Sequence, residues 1–176
     1  NPVTAITFLF AAVSLACLIN PKRKMRLTGR LLAAVVVIIG SIKFSEVFFN
    51  YSTGIDKWLF PDKLTLNRNA GQPNFMAPNT AMTFLIMGTS LLLFRYKINK
   101  KNVLSDYFAS ASGLISLACI IGFAYDATEF YQAKKYIPMA FPTAVCFLLL
   151  SLAILLLRSE FGFFSLFTTR YEGSKT

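Results

Sequence analysis

Two side chains stand out for the chemistry they offer: Lys43 and Glu46, an ammonium and a carboxylate three residues apart inside an otherwise apolar stretch. At that spacing both fall on one face of a helix and can pair. A charge placed among lipid tails is costly, so such residues are functional candidates by default. Three roles suit the pair: a structural ion pair, a sensing or proton-linked element, and a Schiff-base lysine with Glu46 as counter-ion. Lys43 is also about 10 Å of helix rise from the end of its apolar stretch, within reach of snorkelling outward. A second group joins charge to aromatic surface: Asp56, Trp58, Asp62 and Arg68 in residues 51–76, with Asp126, Glu129 and Tyr131 in residues 126–137. Such a set suits a small-ligand site, although Trp and Tyr at a membrane boundary also serve as headgroup anchors.

Absences narrow the chemistry further. The chain has no histidine, hence no imidazole for haem, zinc or copper, no Ser-His-Asp triad and no phospho-accepting His. Cys17, Cys119 and Cys146 all lie in apolar runs without CxxC spacing. They read as reduced, buried packing residues. No glycine loop for nucleotides, no metal motif and no acid–base pair of carboxylates is present, so neither a cofactor nor a catalytic activity is predicted.

The elements that must position these residues are set by composition. Of 176 residues 55% are hydrophobic, 18 are Phe and only 15% are charged, against about 25% charged in a soluble domain. The bilayer is therefore the expected solvent, which excludes a soluble enzyme, a disordered chain and a disulfide scaffold. The net charge of +10 reflects membrane orientation and not nucleic-acid binding.

Five apolar stretches, roughly 2–19, 31–50, 77–95, 107–125 and 138–157, approach the 20 or so helical residues needed to cross about 30 Å of hydrocarbon. Helices are required because lipid cannot satisfy an open backbone. The expected fold is thus an all-α, polytopic transmembrane bundle in a single domain, 1–176. Lys22, Arg23, Lys24, Arg26, Arg30, Arg95, Lys97, Lys100, Lys101, Arg158, Arg170 and Lys175 fall on one side of these spans. The other side holds Lys57, Lys63, Arg68, Lys134 and Lys135, nearly balanced by Asp56, Asp62, Asp126 and Glu129. The first side is predicted to be cytoplasmic, with Asn1 outside and the C-terminus inside. An outside start on Asn1 without a leader predicts an upstream helix, and hence a piece of a longer chain. The closing run, with Phe161, Phe163, Phe164 and Phe167, suits the cytoplasmic interface.

The chain repeats itself. NPVTAITFLFAAVSL from Asn1, APNTAMTFLIMGTSL from Ala77 and AFPTAVCFLLLSLAI from Ala140 align without gaps. Thr4, Thr80 and Thr143 coincide; Phe8, Phe84 and Phe147 follow four residues later, and the small residues Ala12, Gly88 and Ser151 four after that. The spacing makes one stripe along a helix, where small residues let backbones approach and Thr bonds locally or across. Pro2, Pro78 and Pro142 suit first helical turns. A packing stripe is the reading of the pattern, with a repeated ligand site as its alternative, and the bundle is expected to be built from helical hairpins of one design.

The segments TGIDKWLFPD, MAPNTAMTFLIMGTSLLL and YIPMAFPTAVCFLLLSLAILLLRSEFGFFSLFTT resemble the multi-helix membrane input region found ahead of PAS, histidine-kinase and diguanylate-cyclase modules in bacterial signalling proteins. The resemblance covers most of the chain. It implies a sensory input domain in the bacterial inner membrane, non-catalytic itself, working as a homo-dimer and passing a stimulus to a cytoplasmic output, and it supplies no catalytic residues. The alternative is an integral-membrane accessory subunit whose Phe and Leu contact partner helices, pigments or lipids.

Overall fold

The computed structural model describes residues 1–49, 76–96, 104–125 and 139–157, and these are helical with no strand among them. Five helices follow in order: α1 (Pro2–Ile19), α2 (Arg23–Phe48), α3 (Pro78–Leu92), α4 (Leu104–Ala124) and α5 (Phe141–Leu156). The chain is an all-α bundle. Pro2–Ile19, Arg23–Glu46 and Leu104–Ala124 are long and apolar enough to cross a membrane. With 15 and 16 residues, α3 and α5 are shorter, about 23 Å of rise each.

The starts of α1, α3 and α5 share one design. Each has proline in its first turn, where the missing N–H would lack an intrahelical partner anyway. Asn1 also caps α1, its Oδ1 accepting from the Val3 amide at 2.9 Å. The expected start of the second span at 31 moves back to Arg23. Pro21 lies just ahead of the helix and no further proline follows before Phe48, so Arg23, Lys24, Arg26 and Arg30 become its first two turns.

Packing follows chain order. α2 lies between α1 and α3, α4 lies between α3 and α5, and α1, α3 and α5 touch one another. Contacts along α2 fix the directions: Gly29 meets Ser14 and Leu18, whereas Gly40 meets Ala81 and Leu85 and Val37 meets Gly88. Neighbouring helices are therefore antiparallel, and α1, α3 and α5 run parallel. Their Asn1, Met76 and Met139 ends form one end of the bundle, where Met76 and Met139 are both buried. Close approach carries the α2·α3 contact, since a Cβ on Gly40 would come within 2.9 Å of the Leu85 nitrogen. Small residues in membrane helices permit this approach.

Candidate functional site

The three phenylalanines of the repeat meet. Ring centroids lie 4.7 Å apart for Phe8 and Phe84, 4.5 Å for Phe8 and Phe147, and 4.6 Å for Phe84 and Phe147. The planes are inclined by 57–64° in all three pairs, within the tilted geometries that aromatic quadrupoles favour. Three parallel helices thus stand around a pseudo-threefold axis with one ring from each at its centre. Of the rest of the predicted stripe, Thr4, Thr80, Gly88 and Ser151 are buried, Thr143 is half-buried, and Ala12 is exposed.

The repeat also governs the helices between. Ser14 Oγ donates to the Gly29 carbonyl at 2.7 Å. One period of 76 residues later, Ser90 Oγ donates to the Ser105 carbonyl at 2.8 Å and Ser105 Oγ to the Ser90 carbonyl at 2.9 Å. Burial keeps the same period: Ala33 matches Ala109, Val36 matches Ser112, Gly40 matches Ser116, and Lys43 matches Cys119, all of them buried. The identity of Ser14 with Ser90 in the aligned segments was a legible signal for this contact. The matching of α2 with α4 was not, since their residue types differ.

Lys43 occupies one of these matched core positions and is 3% exposed, so it does not snorkel. Its Nζ donates to Glu46 Oε2 at 2.9 Å, and the Glu46 side chain is 13% exposed. Gly40, one turn earlier, packs against Ala81 and Leu85, which sets Lys43 level with the first turn of α3. Ser45 Oγ donates to the Ile42 carbonyl at 2.8 Å in the same turn. The second hairpin has Cys119 and Gly122 where the first has Lys43 and Glu46. The fold therefore builds this position without charge elsewhere, and the ion pair is an addition to the packing design.

Asp106, at the edge of its predicted span, is buried in the first turn of α4, where a carboxylate suits the positive end of the helix dipole. The cysteines divide: Cys17 and Cys119 are buried as expected, but Cys146 is exposed. It projects from a face of α5 that no described helix covers, although the matching Thr7 and Thr83 are fully buried. Asp56, Trp58, Asp62, Arg68, Asp126, Glu129 and Tyr131 lie outside the described residues. Compared with protein-family models, curated proteins and solved structures, the chain matches none of them.

Proposed function

We propose that this chain is the membrane-embedded input unit of a bacterial signal-transduction protein of the histidine-kinase or diguanylate-cyclase type, held in the inner membrane with Asn1 outside. The buried Lys43–Glu46 pair carries the reading. It stands at a core position that the same fold fills with Cys119 in the next hairpin, so packing alone does not call for it. An ion pair in a low-dielectric interior is costly to break, so on this reading a paired and a parted arrangement would be separate states rather than points on a continuum. A stimulus favouring one of them shifts the population. α3, level with the pair, then passes the bias through the ring contact to α1 and α5 and on to a cytoplasmic output, which works as a dimer. The resemblance of the repeat segments to signalling input regions supports the same reading.

The test uses the full-length protein in membranes, with kinase or cyclase output as the readout. Lys43→Ala and Glu46→Ala are expected to change basal or stimulated output at normal abundance and folding. Normal output from either variant at normal abundance reduces the pair to a structural role and removes the support. An accessory subunit would instead purify as a small chain with partner membrane proteins and no attached output module.

A further inference from the structure

The end of the bundle opposite Asn1 carries charge of almost one sign. Among the described residues there, Lys22, Arg23, Lys24, Arg26, Arg30 and Arg95 are set against one carboxylate, Asp106, which is buried. Arg23, Lys24, Arg26 and Arg30 fall in the first two turns of α2, although the macrodipole makes a helix start favour negative charge. α4 starts at the same end and has Asp106 in its first turn. α2 has no acidic residue in its first turn and no side-chain cap. Its first helical bond runs from the Arg26 amide to the Lys22 carbonyl at 3.2 Å. The amides of Arg23, Lys24 and Met25, ahead of that bond, have no acceptor within the helix.

Membrane sidedness accounts for cations that stand in water, but not for Arg26. This residue lies three before Gly29, on the stripe that continues through Ala33 and Val36, all three of them buried. Arg26 is half-buried, and its Nε is closed off from solvent with no hydrogen-bond partner among the described residues. A buried donor without an acceptor is costly, more so on a charged group. Leu18 packs against Gly29, and its carbonyl accepts from Arg95 Nη1 at 3.4 Å, which brings Arg95 to the same corner. Arg26 and Arg30, four residues apart, are neighbours on one side of α2 and repel. By helix rise Arg26 stands about 7–8 Å beyond Leu31, where the apolar stretch begins. That is the depth of the headgroup layer, roughly 5–8 Å on each side of the hydrocarbon.

We infer that this corner binds the phosphate of an anionic lipid headgroup. The Arg26 guanidinium presents a planar fork whose Nε edge matches two phosphate oxygens. The first amides of α2 donate along the helix axis. Arg30 and Arg95 add charge, and the anion removes the repulsion between Arg26 and Arg30. The depth favours a lipid over dissolved phosphate as the source, and the charge balance of this end favours an anionic lipid over a zwitterionic one.

The experiment is native mass spectrometry of the full-length protein in detergent, titrated separately with phosphatidylglycerol, phosphatidylcholine and inorganic phosphate. Phosphatidylglycerol is expected to bind tightest of the three. Arg26→Lys keeps the charge and loses the fork, so its affinity for phosphatidylglycerol should fall about tenfold or more, the worth of a charge-assisted hydrogen bond. Lys24, two residues away and so on the opposite side of α2, is the control. Lys24→Gln should cost no more than about fivefold, the effect of one surface cation near anionic lipid. Equal affinity for the two lipids overturns the inference. So does a loss in Arg26→Lys no larger than in Lys24→Gln, which would reduce the site to diffuse charge. Inorganic phosphate displacing phosphatidylglycerol at equal concentration would overturn the lipid as the source.

Discussion

Removing rings from the centre of the bundle tests the pseudo-threefold arrangement quantitatively. In Phe84→Ala the ring loses its contacts with Phe8 and Phe147, and in Phe147→Ala its contacts with Phe8 and Phe84. Each single variant loses two ring contacts, yet the double variant loses three, because the contact between Phe84 and Phe147 is shared. Pairs of this kind are worth about 0.5–1.5 kcal/mol each beyond area burial. The double variant should therefore be more stable than additivity implies by one such pair, about 0.5–1.5 kcal/mol. The triangle has a further consequence. Once Phe84 and Phe147 are gone, Phe8→Ala has no ring contact of this set left to break and should add no pair energy. Reversible unfolding in mixed micelles, titrated with a denaturing detergent and followed by near-ultraviolet circular dichroism, gives the free energies. Strict additivity of the two single variants, within about 0.3 kcal/mol, would refute mutual contact of the rings.

Four further variants probe the helix contacts by the same titration. Gly40→Ala pushes a methyl to 2.9 Å from the Leu85 nitrogen and 3.2 Å from the Ala81 carbonyl oxygen; backbone cannot turn aside, so a loss of about 1–3 kcal/mol is expected. Gly113→Ala meets chiefly the Ser151 hydroxyl, a side chain that can turn aside by giving up its bond to the Leu148 carbonyl, and should cost less; equal losses would show that backbone approach is not what selects glycine at 40. Ser14→Ala removes the Ser14 to Gly29 bond, and Ser90→Ala removes one of two bonds to Ser105. Each should cost about 0.6 kcal/mol, the average for hydrogen bonds between membrane helices, and a loss above about 2 kcal/mol in either would contradict that assignment.

Helical class and the threefold repetition were legible because they rest on features that lipid forces on any sequence: long apolar runs, prolines at helix starts, and the recurrence of Thr, Phe and a small residue. The stripe showed that Phe8, Phe84 and Phe147 are equivalent. It did not show that they face one another, because equivalence along a chain leaves the neighbours across space undefined. The kinship of α2 with α4 was hidden for a different reason. Between lipid-embedded helices, Val36 and Ser112, or Gly40 and Ser116, meet one requirement of limited bulk with unlike side chains. Lys43 and Glu46 were visible as a pair from spacing alone, whereas the burial of Lys43 depended on which side of α2 meets α3. The exposure of Cys146 was invisible for a similar reason: an apolar run says nothing about which neighbour is missing.

The three-ring centre also limits how the bundle can move. Bodies that mesh in pairs must turn in opposite senses, and a triangle of mutual neighbours admits no alternating assignment. With Phe8, Phe84 and Phe147 each against the other two, rolling any one of α1, α3 and α5 about its own axis shears two ring contacts at once, and rolling all three in one sense shears all of them. No pair of these helices can therefore turn without the third ring registering it.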